Sequence, residues 1–222
     1  MPWLGGAVTR PLVLASASPA RLQLLRRSGV EPVVRPSSVD ERQVERRARE
    51  TDPDLTPEAL VGALARAKGE AVASSLDGRE AADLVLACDS VLEVGAEVVG
   101  KPGSADLATT RWQSMRGGSG VLHTGHWLLD AETGRSVSEA TSSRLRFADV
   151  SDDEIDAYVA TGEPLHVAGG FTIDGFGAPF VEVVEGDPGT VIGLCLPALR
   201  RLLLALDVPW WSVADPSSPT PG

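Results

Sequence analysis

The chain has 222 residues, 43% of them hydrophobic, which suits one full core or two small lobes. A formal net charge of −11 and only 5% aromatic residues argue against a reader of nucleic-acid polymers, which needs a broad basic surface and stacking platforms. The apolar runs are too short to span a bilayer, no cleavable leader opens the chain, and Cys88 and Cys195 lie in apolar runs as buried free thiols, so a cytoplasmic protein is expected.

Residues 1–11 are Gly-rich and residues 212–222 are rich in Pro and Ser, so a flexible N-terminal extension and a disordered tail are expected around a single domain over 12–211. Leu12-Val13-Leu14-Ala15 reads as a strand feeding a helix. Ser18 is its N-cap, Pro19 suits the first helical position and Gly29 ends the pattern. Free backbone N–H groups, the serine hydroxyls and Arg21 then converge at one helix tip, the outline of an anion site. Val30 to Pro36 forms a short strand. The charged stretch from Val39-Asp40-Glu41-Arg42 to Asp54 reads, taken alone, as a solvated loop.

Thr56-Pro57-Glu58 opens the next helix. Leu60, Leu64 and Lys68 fall at i, i+4 and i+8, which puts Lys68 at the apolar stripe. It either snorkels along the core edge or points its ammonium into an anion pocket. Asp83 to Cys88 is a nearly continuous apolar run, the pattern of a strand buried on both faces, and it ends in Asp89-Ser90. A carboxylate at such a strand end stands where open α/β sheets place ligands.

Gly95-Ala96 joins two short strands with type II′ turn chemistry, and the return strand delivers Gly100-Lys101-Pro102. The run Gly95 to Lys101 has phosphate-loop spacing, but Pro102 replaces the hydroxyl residue that would hold magnesium. Asp89 also lacks the second aspartate, two residues on, of haloacid-dehalogenase-like phosphatases. Ser104 caps a helix to Arg116, with Leu107, Trp112 and Met115 facing the core.

Val121 to Asp130 and Ser136 to Phe147 read as an antiparallel hairpin. Within it the odd spacing of His123 and His126 sends the two rings to opposite faces and rules against a shared metal. Ser151 and Glu154 form a capping box for a helix to Gly162. A glycine-dense segment over 162–177, a strand from Phe180 to Glu185 and a last helix from Leu196 to Leu206 complete the chain.

Several ordered blocks together carry a resemblance. They are Leu14-Ala15-Ser16-Ala17-Ser18-Pro19 with Arg21, Val39-Asp40-Glu41, Ala65-Arg66-Ala67-Lys68, Ala87-Cys88-Asp89-Ser90-Val91 and Gly100-Lys101-Pro102. His123-Thr124-Gly125, Gly162-Glu163-Pro164 with Ala168-Gly169, and Gly186-Asp187 with Val191-Ile192-Gly193-Leu194 follow in order. The chain resembles the Maf family of nucleoside triphosphate pyrophosphatases over nearly its full length. The resemblance implies a Maf/ITPase-like α/β fold, an elongated mixed sheet flanked by helices with two lobes around a central groove. It also implies a homodimer and a magnesium- or manganese-dependent release of pyrophosphate from a nucleoside triphosphate, clearing non-canonical nucleotides.

By position, the resemblance makes Asp89 the proton acceptor, with Glu41 and Lys101 completing the catalytic set and Glu41 and Asp89 as metal ligands. Arg21, Lys68 and Lys101 would bind phosphate, with Ser18 in the same loop. Ala20, Ser90 and Asp174 fall where relatives sort their bases, and none matches the thymidine/uridine pattern. Ala20 and Val167 also stand where relatives often carry basic residues, and Thr190 where they carry asparagine. The alternatives are a nucleotide-binding regulator without turnover, which would lack one of the acids, and a metal-dependent phosphomonoesterase, which would release orthophosphate.

Overall fold

Strands β1 (Leu12–Leu14), β2 (Val33–Val34), β3 (Leu84–Val94), β4 (Glu97–Val99), β5 (Ser119–Asp130), β6 (Arg135–Phe147) and β7 (Val181–Glu185) form one mixed sheet. Helices α1 (Pro19–Arg27), α2 (Glu41–Thr51), α3 (Pro57–Ala73), α4 (Ala105–Met115), α5 (Asp152–Ala160), α6 (Pro188–Ile192) and α7 (Leu196–Ala205) flank it. This computed structural model describes residues 10–76 and 84–217. Asp83, the expected first residue of its strand, lies outside them, as do residues 1–9 of the N-terminal extension and residues 218–222 of the tail.

The strand order is β2-β1-β3-β5-β6-β7, with β4 also on β3. β3 is the long central element, antiparallel to β5 from Leu84 to Glu93. Its other edge is shared: β1 pairs in parallel with Leu84 to Leu86, and β4 pairs antiparallel with Leu92 to Val94. Among the described residues, the edge of β3 over residues 87–91 therefore has no strand beside it, and Asp89 sits in that break. The apolar run was expected to end the strand at Asp89. The strand instead continues, because β5 supplies an unbroken ladder on the other side.

Burial on both faces of β3 matches its sequence. On one face Leu84, Leu86 and Cys88 pack with Leu12 and Leu14 against Leu199, Leu202 and Leu203 of α7. On the other, Val85 and Ala87 join Val13, Ala15 and Trp127 against Ala65 and Val72 of α3. Beyond the break a second core gathers Trp112, Phe147, Tyr158 and Phe171, with Trp112 edge-on to Phe147 and Tyr158 at centroid distances of 5.8 and 5.6 Å. Fully burying each large apolar side chain contributes roughly 1.5–3 kcal/mol, so each lobe carries its own stabilising centre.

Two glycines set how closely α3 lies on this sheet. A Cβ at Gly69 would overlap the Trp127 ring, and one at Gly125 would overlap the Val61 carbonyl. Both positions need the missing side chain for close approach rather than for an unusual backbone angle.

Other expectations shift. The stretch after Val39 is a helix, capped by Asp40 accepting from the Gln43 amide at 3.1 Å. None of its residues is buried, so no apolar stripe marked it in the sequence. Leu107, expected in the core, is 44% exposed, and Ala108 packs inward in its place. The expected tail begins later than residue 212, since Val213 and Ala214 are buried against the α7 core. Gly95 has φ 62° and Ala96 a negative φ, the sign pattern of a type II′ turn. The capping box at Ser151 and Glu154 forms as expected. No described helix is long and apolar enough to cross a membrane.

Candidate active site

The break in the sheet opens into a groove of about 820 Å³. Ser18, Ala20, Arg21, Glu41, Lys68, Asp89, Ser90, Lys101 and Asp174 all line it, so every site residue expected from the sequence reaches one cavity. They arrive from seven separate places: the β1–α1 connection, the first turn of α1, α2, α3, the middle of β3, the segment after β4, and the glycine-dense segment.

At its centre the Lys68 ammonium pairs with Asp89 and, at 2.7 Å, with Glu41. The Lys68 side chain is 14% exposed, so the ammonium points off α3 into the groove rather than snorkelling to open solvent. Burial raises the Asp89 carboxyl above its ordinary range, while Lys68 and Arg21 oppose that shift and Glu41 adds to it. The result is a carboxyl more basic than that of an exposed aspartate.

Arg21 is bound differently from the expectation of a free phosphate ligand. Its Nε donates to the Gly193 carbonyl at 2.8 Å, Nη1 to Ser16 Oγ at 3.0 Å and the Cys88 carbonyl at 2.9 Å, and Nη2 to Ser90 Oγ at 3.1 Å. The Leu86 carbonyl, two residues back on the same edge of β3, accepts from the Ala15 amide. Where the chain then turns away from β3, the guanidinium takes the next such carbonyl, that of Cys88. One N–H remains for a ligand, since a guanidinium carries five.

Ser90 Oγ also contacts Thr124 Oγ1 at 2.8 Å, and Thr124 Oγ1 donates to the Thr190 carbonyl at 2.7 Å. A line of hydroxyls thus ties β3 and β5 to α6. Cys88 beside them is fully buried, and burial pushes its thiol up to about 11, which leaves it inert.

The Lys101 side chain makes no hydrogen bond or ion pair among the described residues, and neither does that of Arg42, which sequence reasoning missed. Arg42 and Glu45 face the groove because Asp40 starts a helix there. That cap was the available signal, and reading it would have put Glu41 and Glu45 on one face. Glu163 and His166 also line the groove unannounced.

Its lining holds four basic side chains, Arg21, Arg42, Lys68 and Lys101, against five acidic ones, Glu41, Glu45, Asp89, Glu163 and Asp174. The cavity is therefore not basic overall. Among the described residues no three His, Cys, Asp or Glu side chains are grouped to hold a metal by themselves. His123 and His126 have separate partners, Ser142 and Glu93 for the first, the Cys195 amide and the Glu139 carbonyl for the second.

Comparison with known proteins gives the family. A protein of Salinispora tropica named nucleoside triphosphate pyrophosphatase is 51% identical over 223 residues, covering 99% of this chain and 95% of its own. Proteins of the same name from Streptomyces coelicolor and Thermosynechococcus vestitus are 53% and 52% identical, covering 89% and 88% of this chain and 91% and 93% of theirs. Residues 11–206 match the family model described as Maf-like protein, and the chain belongs to that family.

Proposed function

We propose that this chain hydrolyses a nucleoside triphosphate to the monophosphate and pyrophosphate, with non-canonical or modified nucleotides as its targets. The observation that carries this reading is the Lys68 ammonium held between Asp89 and Glu41 at the break in the sheet, with the Lys101 and Arg42 cations in the same groove. The relatives named for this activity support it.

Asp89 takes a proton from the attacking water, and its raised carboxyl makes it a better base than an exposed aspartate. The water oxygen bonds to the α-phosphorus while the bond from that phosphorus to the bridging oxygen breaks. Pyrophosphate leaves with the electron pair. Lys68 and Glu41 keep Asp89 oriented, and Lys101 with Arg42 meets the charge developing on the leaving group. Ser18 and the last Arg21 N–H sit at the phosphate end, while Ala20, Ser90 and Asp174 face the base. Asp174 as a carboxylate only accepts hydrogen bonds, so it favours base edges that present N–H donors.

The donor set fits a divalent cation that comes with the substrate. Glu41 and Asp89 already share one cationic nitrogen, and magnesium needs only one or two carboxylates when phosphate oxygens and water complete its shell. When held by Glu41 and Asp89, magnesium or manganese would offset the phosphate charge that a groove with five acids against four bases otherwise repels. The same reading carries a cytoplasmic homodimer, with the unit reaching past residue 211 to the buried Val213 and Ala214; light scattering on the purified chain tests the dimer.

The deciding experiment offers a panel of ordinary and modified nucleoside triphosphates with magnesium or manganese and identifies the products. Pyrophosphate with monophosphate is expected. Orthophosphate as the released product would point to a phosphomonoesterase, and nucleotide binding without turnover to a regulator.

A further inference from the structure

The Glu163 carboxylate, in the groove wall, accepts four hydrogen bonds, and nothing in the proposed chemistry uses it. Its Oε1 accepts from the Tyr158 hydroxyl at 2.8 Å, the Thr172 hydroxyl at 2.6 Å and the Gly177 amide at 3.0 Å. Its Oε2 accepts from the Phe176 amide at 2.9 Å. Burial pushes this carboxyl up, but the four donors outweigh it and hold the group below its ordinary range.

All four donors but Tyr158 belong to one loop, residues 172–177, which has no regular ladder of its own between the short 3-10 turns at Ala168–Gly170 and Ala178–Phe180. The loop passes so close to the carboxylate that a Cβ at Gly175 would overlap Glu163 Oε2. Asp174 lies in the middle of this wrap, exposed toward the groove, with Ile173 and Gly175 beside it in the lining. From His166 to Gly175 that wall carries no lysine or arginine. It therefore offers shape and hydrogen-bond acceptors rather than phosphate contacts, which suits the base end of a nucleotide.

We propose that Glu163 is a positioning residue for base selection: by gathering the Thr172, Phe176 and Gly177 donors it fixes where Asp174 stands against the nucleobase. The inference rests on the pyrophosphatase reading and deepens it. A backbone loop with few bonds of its own has several conformations of similar energy. Binding three loop donors to one carboxylate leaves a single arrangement, and discrimination between bases depends on a fixed acceptor. Glutamine cannot substitute: three donors already face Oε1, and its amide N–H₂ would meet the Phe176 N–H donor to donor.

The test compares wild type with Glu163→Gln and with Tyr158→Phe, which removes one bond and keeps the carboxylate. For each, kcat and KM are measured across a panel of nucleoside triphosphates, together with inhibition by inorganic pyrophosphate, which has no base. Glu163→Gln is expected to cut the ratio of kcat/KM between the best and the next substrate by about tenfold, chiefly through KM. Tyr158→Phe should cut it by about twofold to threefold, and inhibition by pyrophosphate should stay at the wild-type level in both. If Glu163→Gln does not fold, Tyr158→Phe carries the test. An unchanged selectivity ratio in the folded variant overturns the proposal, as does a loss of pyrophosphate binding equal to the loss of substrate binding, which marks a general structural role. Failure of the underlying reading looks different: wild type itself would release no pyrophosphate from any substrate.

Discussion

Arg21 Nη2 donates to Ser90 Oγ at 3.1 Å, joining a residue expected to grip phosphate to one expected to face the base. The guanidinium closes the open edge of β3 and links it to α6 through Gly193. Lysine cannot reproduce this fork of donors. Arg21→Lys should therefore lower stability by roughly 1–3 kcal/mol as buried acceptors lose partners. Thermal unfolding checks this, and an unchanged midpoint would show that the fork is not holding the break together.

Asp89→Asn should reduce turnover by about 10²–10⁴-fold, the usual contribution of a positioned base, while nucleotide affinity changes little. Asp89 must be ionised to act, so wild-type activity rises with pH through a carboxyl that burial holds above its ordinary range. Lys68 opposes that rise; removing its charge favours the protonated acid. The acid limb of the Lys68→Met profile should move to higher pH than in wild type. A limb that stays in place would remove Asp89 from the role of base.

Gly125→Ala should push α3 away from β5, because its methyl would meet the Val61 carbonyl. The cost expected for such overpacking is about 1–3 kcal/mol. Since α3 carries Lys68, activity should fall further than stability alone explains. A crystal structure of the variant showing Lys68 still on Asp89 would contradict that coupling.

His126 Nε2 accepts from the Cys195 amide at 2.9 Å, so Nδ1 carries the proton toward the Glu139 carbonyl at 3.2 Å. Burial lowers this imidazole from 6.5 to about 4, with the neighbouring Arg21 charge adding to the effect. In the unfolded chain the ring takes up a proton below its ordinary value while the folded form still refuses one. Stability is thus intact above about pH 6.5 and is lost progressively toward pH 4, by about 3 kcal/mol in all. Denaturant midpoints across this window should fall in wild type and fall less in His126→Gln; parallel slopes would exclude His126 as the cause.

Much of the architecture was legible because its signals are local. Ser18-Pro19, Thr56-Pro57, the Ser151–Glu154 box and the Gly95-Ala96 turn each satisfy backbone needs within a few residues, and each forms where expected. Helix α2 was not legible from apolar spacing, because it buries nothing. The full length of β3 was not legible either: its pattern weakens at Asp89 and Ser90, and only the partner strand β5 shows that the ladder continues.

The sequence by itself determined which residues belong together: the nine candidates all line one groove, although they are scattered from Ser18 to Asp174. Only the tertiary structure decided what each is free to do. Lys68 sits between two carboxylates, Arg21 closes a strand edge with four of its donors, and Arg42 joins Lys101 as a groove cation with no side-chain partner among the described residues. The physical reason is that residue type sets a side chain's donors and charge, whereas its remaining capacity depends on neighbours brought by strands and helices far away in the chain.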